Sequence, residues 1–371
     1  MEQKTIVVSA VNLNVGGTLT ILRDCLSYLS DLASNGGYRV VALVFDKNLA
    51  LFPHIEYIET QWPKKNWLNR LWYEYVSMKK VSRQFSPVYL WFSLHDTTPC
   101  VIAERRAVYC HNPFPFYKWK MQEWLFTPKI VMFALFSKYI YRVNIHDNNY
   151  VVVQQQWIKD EFKRLFKLKD ETIVVAPPSP ANIDSKIEEN SDGDETYSFI
   201  FASSPNSHKN FECVCKATEI LQKKYGINTF KVYITVKGDE NAYAKWLRKA
   251  WGSNLTALHF IGFLDRKTLF EYYAKSHCMV FPSKVETWGL PITEFAAFEK
   301  PMLLPDLPYA HETAGGAIKV SFFDQENPTD LAEKMKALIE GDSSCLHSVE
   351  KRTLVPPVTH SWEDLFTLLL N

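Results

Sequence analysis

The sequence predicts an α/β protein with two doubly wound domains, each built on a parallel sheet. Its 371 residues, 47% of them hydrophobic and 22% charged, can form two cores and are too many for one typical domain. Short β-branched runs alternate with amphipathic stretches, and the alternation restarts after an acidic, proline-containing segment near residue 180. This alternation is typical of parallel strands joined by crossover helices.

The first domain is predicted to cover residues 1–176. Its β-branched runs predict strands at 5–11, 38–45, 88–92, 107–110, 150–153 and 172–176. Helices are predicted at 19–32 and 157–166. A helical pattern at 361–370 follows two prolines, and we expect this tail to cross back onto the first domain. Residues 358–371 are therefore assigned to it as a C-terminal helix.

A linker is predicted at 177–196, where three prolines and six acidic residues occur with hardly an apolar side chain. The second domain then covers residues 197–357. Its strands are predicted at 197–202, 230–236, 258–263 and 278–281, and its helices at 210–224, 267–274, 291–298 and 329–339.

The most informative motif begins at the end of the strand at 278–281 and runs from Phe281 to Glu294. Gly289 allows a tight turn and Pro291 suits the first position of a helix. Glu286 is therefore expected on a loop at the carboxyl end of a parallel strand, where open α/β sheets bind ligands. Glu294 is expected one turn into the helix.

Backbone N–H groups near 289–292, at the positive end of a helix, form a site suited to phosphate oxygens. Carboxylates beside such a site repel phosphate, but they accept hydrogen bonds from sugar hydroxyls on either side of it. We therefore expect Glu294 to hold a ribose and Glu286 a transferred sugar.

This motif resembles the signature of the retaining glycosyltransferases of family 4, also called group 1 glycosyltransferases. Their signature is a Glu, seven residues and a second Glu around an aromatic-Gly-Leu core, which is Trp288-Gly289-Leu290 here. The likeness covers the second domain and the C-terminal tail, and is weaker in the first domain. It implies the GT-B fold, with two facing Rossmann-like domains, a cleft between them, and donor bound chiefly by the second.

The resemblance implies roles for further residues. Lys209 is similar to the basic residue that neutralises the donor pyrophosphate, and His111 resembles a histidine placed near the transferred sugar. Gly16 and Gly17, between a strand and a helix, would let the backbone approach a phosphate. The arginine that family members often carry shortly before this lysine is replaced here by Ser204-Pro205-Asn206, which leaves one phosphate charge without a partner.

The sequence predicts no metal requirement and no cofactor besides the nucleotide-sugar substrate. The one metal-like motif, Asp192-Gly193-Asp194, lies in the acidic linker without a preceding apolar strand to fix its geometry. Lys209, backbone amides and a helix end can instead stabilise the leaving nucleotide. The seven cysteines are scattered without zinc-site spacing and are interpreted as reduced thiols.

Charge is unevenly distributed along the chain. Residues 1–180 hold 22 Lys and Arg against 15 Asp and Glu, a balance of +7, and the remainder holds 20 against 26, a balance of −6. Basic and aromatic residues are interleaved at 62–83 and 114–142, which favours either peripheral membrane contact or helices that cover a domain core. Nucleic acid would demand more positive charge. No signal peptide is recognised, so a cytoplasmic location is expected, at the inner face of a membrane if contact occurs.

The function implied is transfer of a hexose from UDP or GDP to a hydroxyl of a glycan or lipid-linked glycan in polysaccharide biosynthesis. The resemblance further implies that the transfer retains the anomeric configuration. Two alternatives remain: a nucleotide-sugar epimerase, and a non-catalytic nucleotide-sugar-binding protein of the same fold. A dehydrogenase is disfavoured because neither half has a complete Gly-x-Gly-x-x-Gly motif after its first strand.

Overall fold

The computed structural model describes residues 3–178 and 196–371. The chain divides into two compact units. Unit 1 comprises Met1–Asn112, Phe136–Ser179 and Leu354–Asn371, and unit 2 comprises Pro113–Leu135 and Pro180–Thr353. The linker predicted at 177–196, including Asp192 and Asp194, lies almost wholly outside the described residues.

Unit 1 is built on a parallel sheet with the strand order β3-β2-β1-β4-β5-β6-β7. Its strands are β1 (Lys4–Ser9), β2 (Tyr38–Val44), β3 (Ile55–Glu59), β4 (Val88–Ser93), β5 (Arg105–Cys110), β6 (Tyr150–Val153) and β7 (Ile173–Val175). The helices up to β7 are α1 (Gly16–Ser34), α2 (Trp67–Trp72), α3 (Met78–Gln84), α4 (Glu123–Phe126), α5 (Pro128–Arg142) and α6 (Gln156–Phe166). Of these, α4 and the first half of α5 group with unit 2.

Unit 2 is built on a second parallel sheet, ordered β10-β9-β8-β11-β12-β13. Its strands are β8 (Tyr197–Phe201), β9 (Phe230–Ile234), β10 (Leu258–Phe260), β11 (Cys278–Val280), β12 (Met302–Pro305) and β13 (Val320–Phe323). The remaining helices are α7 (Phe211–Glu219), α8 (Ala242–Trp251), α9 (Arg266–Lys275), α10 (Leu290–Ala296), α11 (Pro308–Thr313), α12 (Pro328–Ile339) and α13 (Trp362–Leu370). The prediction of two parallel α/β sheets is confirmed.

The C-terminal helix α13 belongs to the core of unit 1, as predicted. Leu365, Phe366 and Leu369 are buried in the same apolar cluster as the inner faces of β1, β2, β4 and α1. The ring of Phe366 lies 5.4 Å from that of Tyr28 and 5.5 Å from that of Phe92. Helix α13 begins at a capped turn, because the Ser361 side chain accepts a hydrogen bond from the backbone N–H of Asp364.

The segment Pro113–Leu135 packs within unit 2, although the sequence assigned it to the first domain with the rest of 1–176. The Phe126 ring contacts Tyr243 and Trp246 of α8 at centroid distances of 5.9 and 4.9 Å. Glu123 is buried against Lys284. Neither contact has a local signature in the sequence, because its partners lie more than a hundred residues apart.

In both sheets the order of the strands reverses beside the first strand of the unit. Strand β1 lies between β2 and β4, and β8 lies between β9 and β11. At such a switch point the crossover connections leave in opposite directions, so that a crevice opens at the carboxyl ends of the two central strands. In unit 2 these are the ends of β8 and β11, which lead to Lys209 and Glu286.

Candidate active site

Lys209 lies in the connection that follows β8. A single turn at Ser207–Lys209 ends at Asn210, which has a left-handed backbone with φ of 62°. The buried Asn210 side chain donates hydrogen bonds to the carbonyls of Pro282 and Gln325, at 3.2 and 2.9 Å. This tether fixes the turn against the loop that follows β11.

Glu286 lies on that loop and contacts Lys209 directly. The Lys209 Nζ atom donates to Glu286 Oε1 at 2.5 Å, and the two side chains are only 15% and 14% exposed. From the sequence we expected separate ligands for these residues, a pyrophosphate and a sugar, and did not pair them with each other. The structure joins them in one ion pair at the switch point of unit 2.

Glu294 lies in α10, one turn after Leu290. Its carboxylate Oε1 is 3.9 Å from Nη2 of Arg266 at the start of α9. Burial raises the pKa of the Glu294 carboxyl, and the Arg266 guanidinium partly offsets that rise. A carboxylate in this setting, short of hydrogen-bond donors, is suited to accept hydrogen bonds from ligand hydroxyls.

Gly289 forms the turn that the sequence predicted, with φ of 91°. A Cβ atom there would lie 3.2 Å from Ile292 Cδ1, so both the backbone conformation and the space favour glycine. The carbonyl of the preceding Trp288 accepts a hydrogen bond from the Thr313 hydroxyl, and its indole Nε1 donates to Thr293 Oγ1 at 2.8 Å. These contacts hold the Trp288-Gly289-Leu290 core in one conformation.

Fewer backbone N–H groups are available for a phosphate at 289–292 than the sequence predicted. The helix begins at Leu290, so Pro291, which has no N–H, is its second residue rather than its first. The N–H of Ile292 donates to the Gly289 carbonyl at 2.9 Å and is used within the turn. Leu290 and Gly289 therefore carry the amides at the start of α10.

The remaining predicted site residues belong to unit 1. Gly16 begins α1 with φ of 61°, and a Cβ there would meet no atom within 4 Å. Gly17 is the second residue of the same helix. His111 follows β5, and its backbone N–H donates to Asp96 Oδ1 at 2.8 Å, while its Nε2 lies 3.7 Å from Asp96 Oδ2.

His111 is neutral near pH 7. Burial lowers the pKa of its imidazole, and Asp96 offsets only part of that shift. Asp96 itself has φ of 71°, a conformation that non-glycine residues rarely adopt. The sequence pattern singled out His111 but not the aspartate that contacts it.

A buried charge network beside Asp96 was also missed. Arg70 Nε donates to Glu74 Oε1 at 2.8 Å, the Thr97 hydroxyl donates to Glu74 Oε2 at 2.6 Å, and His95 Nδ1 lies 3.3 Å from Glu74. Burial alone would raise the pKa of Glu74, but Arg70 and His95 lower it to about 2. The spacing of four residues between Arg70 and Glu74 was the available signal.

Residues 3–178 and 196–371 contain neither a cluster of candidate metal ligands nor a candidate membrane span. No group of three or more His, Cys, Asp or Glu side chains there is placed to hold a metal ion. No helix in that part of the chain is long and apolar enough to cross a membrane. The seven cysteines are all free thiols, as interpreted from their spacing.

A comparison with protein families finds a match in the second half of the chain. Residues 182–353, which include Lys209, Glu286 and Glu294, match the family described as glycosyl transferases group 1. This region is similar to the group 1 glycosyl transferases. The match supports the resemblance that the Glu286 to Glu294 motif suggested.

The individual proteins that the chain resembles are distant in sequence. The chain is 24% identical over 263 residues to the O-antigen chain mannosyltransferase RfbU of Salmonella typhimurium, covering 69% of this chain and 67% of that protein. Sucrose-phosphate synthase of Thermosynechococcus elongatus superposes with a TM-score of 0.65 at 13% identity, over 94% of this chain and 92% of that one. Anabaena HepE, solved in complex with UDP and glucose, gives 0.59 at 14% identity, over 92% and 91%. The structural likenesses show that the chain has the GT-B fold, as predicted.

Proposed function

We propose that this glycosyltransferase moves a hexose from UDP or GDP to a hydroxyl of a glycan or lipid-linked glycan, with retention of anomeric configuration. The observation that carries the proposal is the Lys209–Glu286 pair at the switch point of unit 2, with Glu294 in the adjoining helix. The named activity of the Salmonella relative supports a role in surface polysaccharide synthesis. The complex of Anabaena HepE with UDP and glucose supports a nucleotide-sugar donor.

In this proposal the donor diphosphate lies against Lys209 Nζ and the amides of Gly289 and Leu290. A phosphate competes with Glu286 for the lysine, because both are anions within reach of one ammonium group. Glu286 is then released to accept hydrogen bonds from the sugar hydroxyls. Glu294 accepts hydrogen bonds from the ribose hydroxyls.

The proposed chemical step is one substitution at the anomeric carbon. The bond from that carbon to the phosphate oxygen breaks, and the acceptor oxygen forms a bond to it on the same face. The departing phosphate oxygen takes the proton of the acceptor hydroxyl. Glu286 stabilises the positive charge that develops on the sugar, and Lys209 stabilises the negative charge on the leaving group.

His111 is proposed as a further residue of the transfer step. Its imidazole is neutral, so it can donate one hydrogen bond and accept another without adding charge. His111→Ala is expected to lower kcat while leaving the dissociation constant of UDP unchanged. Unchanged kcat would remove His111 from the mechanism.

The activity is tested with a panel of labelled UDP-hexoses and GDP-hexoses, incubated with glycan and lipid-linked acceptors. A transferred label, or slow hydrolysis of one donor, is the expected result. The NMR coupling of the new anomeric proton reports whether configuration is retained. Interconversion of donors would instead indicate an epimerase, and binding without turnover a non-catalytic protein; either result would contradict the proposal.

We also propose peripheral contact of unit 1 with an anionic membrane surface. Around α2, Trp62, Trp67, Leu68 and Trp72 are exposed, with Leu68 at 77% and Trp72 at 62%. Lys64 and Lys65 adjoin them in the sequence. Exposed aromatic and aliphatic groups bordered by lysines suit the headgroup region of an anionic bilayer.

Vesicle flotation tests this contact. Vesicles of phosphatidylglycerol and phosphatidylcholine should carry the protein with them, and pure phosphatidylcholine vesicles should carry less. The double variant Leu68→Ser/Trp72→Ser should lose flotation, whereas Leu51→Ser, at a leucine 61% exposed elsewhere in unit 1, should keep it. Equal flotation of both variants would contradict the proposal.

A further inference from the structure

Unit 2 contains a buried charge cluster outside the residues assigned above. The side chain of Lys284 is only 6% exposed, and its Nζ lies 2.8 Å from Glu123 Oε1 and 3.1 Å from Glu212 Oε1. The second oxygen of each carboxylate is also occupied. The Tyr117 hydroxyl donates to Glu123 Oε2 at 2.5 Å, and the Tyr243 hydroxyl donates to Glu212 Oε2.

Both carboxylates are therefore fixed at both oxygens, and the ammonium group is fixed between them. Burial alone would lower the pKa of Lys284, but Glu212 and Glu123 raise it above its ordinary value, so the lysine is charged. Buried ion clusters of this kind contribute little net stability compared with apolar side chains of similar volume. Their geometry, however, is restricted, because hydrogen bonds are limited to a narrow range of lengths and prefer nearly linear angles.

The cluster adjoins both connections that carry the Lys209–Glu286 pair. Lys284 is two residues before Glu286, and its backbone N–H donates to the carbonyl of His208 at 2.8 Å. His208 immediately precedes Lys209. A displacement of the Lys284 backbone therefore moves the loop that carries Glu286 and the turn that carries Lys209 together.

The segment Pro113–Leu135 reaches the same turn by two further contacts. The hydroxyls of Thr127 and Ser207 are hydrogen-bonded at 2.6 Å. The ring of Phe114 packs edge-on against the His208 ring at a centroid distance of 5.1 Å. Glu123 is thus one of several groups by which this segment holds the Ser207–Lys209 turn.

Lys284 is a poor candidate for a phosphate ligand. Its ammonium group is buried and already bonded to two carboxylates, so a phosphate would have to displace a buried anion to reach it. The charge of Lys284 is used within the cluster. The cluster acts on the site by fixing the position of the backbone from Ser283 to Glu286.

We propose that Glu123 is a positioning residue of the donor site, which acts through Lys284 to fix the positions of Glu286 and Lys209 relative to each other. This inference rests on the proposed function, because it assumes that the Lys209–Glu286 pair receives the donor. It assigns a role in the donor site to a segment that the sequence placed in the other domain. Glu123 itself touches neither reactant.

The test is Glu123→Gln, which keeps the side-chain shape but removes the charge opposite Lys284 and one acceptor for Tyr117. We expect kcat for donor turnover, or for slow donor hydrolysis, to fall by about 10- to 100-fold, because a displacement near 1 Å at a reacting group costs that much. Lys284→Met should give a similar loss. Because the two residues act as a unit, the double variant should be no slower than the slower single variant.

Lys159→Met is the matched control for loss of a buried lysine. Lys159 is buried in unit 1, where its Nζ donates to the carbonyls of Val355 and Pro356 at 3.0 and 2.9 Å. The Lys159→Met variant should have a lower melting temperature than wild type, as Lys284→Met should. Well below that temperature, its kcat and its dissociation constant for UDP should be unchanged. A kcat loss as large as that of Lys284→Met would show that general destabilisation explains both, and would overturn the inference.

A folded Glu123→Gln protein with wild-type kcat and UDP affinity would also overturn the inference. If Glu123→Gln fails to fold, the decision passes to Tyr117→Phe, which removes only the hydroxyl that fixes Glu123 Oε2. A several-fold loss of kcat in that variant supports positioning, and wild-type kcat contradicts it. Wild-type protein that neither binds nor turns over any nucleotide sugar would instead refute the proposed function, which separates the two failures.

Discussion

The Lys209–Glu286 ion pair gives the candidate site two charges that can exchange partners. The two side chains are about equally shielded, and each is chemically suited to a different part of a nucleotide sugar. A diphosphate offers Lys209 a more highly charged partner than one carboxylate, and sugar hydroxyls offer Glu286 neutral donors. The pair is thus a protein contact that the substrate can replace at both ends.

Glu286→Ala should therefore impair the transfer step, and Glu294→Ala should impair nucleotide binding. Removing Glu286 should lower kcat by about 100-fold or more, because it removes stabilisation of charge that exists only in the transition state. Nucleotide affinity should be kept or improved, since Lys209 is freed for phosphate. Glu294→Ala should weaken UDP binding by about 10-fold, the cost of hydrogen bonds to ribose hydroxyls.

Isothermal titration with UDP and initial rates with donor separate these effects. Lys209→Met is the reference for lost phosphate binding and should raise the dissociation constant of UDP. Full turnover by Glu286→Ala would remove that residue from the catalytic step, whatever its effect on binding.

Glu74 should make the stability of unit 1 sensitive to acid. Its folded pKa of about 2 lies below its ordinary value of 4.5, so its stabilising contribution is present above about pH 4.5 and is lost progressively as the pH falls toward 2. The groups around it are Arg70, His95 and Thr97. Glu74→Gln lacks this titration, so the stability gap between wild type and variant should shrink by about 1 kcal/mol between pH 5 and pH 3.5.

Urea unfolding at the two pH values measures that gap. The comparison between proteins cancels the titration of the other carboxyl groups. A gap that stays constant, or widens in acid, would show that Glu74 is not held ionised by its partners.

At the scale of elements, most strands were predicted from the sequence, but β3, β12 and β13 were not. Strands β1, β2 and β8 are nearly continuous runs of β-branched and aromatic residues, so their pattern has one interpretation. Strand β3 has the sequence Ile-Glu-Tyr-Ile-Glu and lies at the sheet edge, where its residues are half-buried or exposed. Strands β12 and β13 were also missed, although their parallel pairing is clear in the structure.

Contacts between side chains that are far apart in the sequence could not be predicted from it. Glu286 and Glu294 could be singled out because turn chemistry and helical spacing act locally around Gly289. The partners Lys209 and Glu286 are 77 residues apart, and Glu123 and Lys284 are 161 apart. Such pairs depend on strand order, which local patterns do not specify.

Helix α13 is expected to be essential to the stability of unit 1 despite its position at the chain end. Phe366→Ala removes a buried ring from the core and should cost about 3–5 kcal/mol of unfolding free energy. Phe263→Ala, at a ring 90% exposed in unit 2, is the matched control and should cost little. Chemical denaturation monitored by tryptophan fluorescence compares them, and equal stabilities would contradict the assignment of α13 to the core.

At the scale of the whole molecule, the proposed chemistry uses only groups of the protein itself. In the proposed mechanism, Lys209 and the amides at the start of α10 supply the positive potential that a divalent cation would otherwise provide. Excess EDTA should therefore leave the initial rate unchanged within about 2-fold, since no proposed step passes through a metal. Loss of activity in EDTA that manganese restores would contradict the proposed metal independence.

The central claim is that the donor binds in unit 2, with its diphosphate against Lys209 and the start of α10. The most direct test is a crystal structure of Glu286→Gln, which should slow turnover, with an intact UDP-hexose or GDP-hexose. We predict phosphate oxygens within hydrogen-bond distance of Lys209 Nζ and the Leu290 N–H, ribose hydroxyls at Glu294, and the sugar at residue 286. A nucleotide bound elsewhere, or side chains of 286 and 294 both turned to bulk solvent, would contradict it.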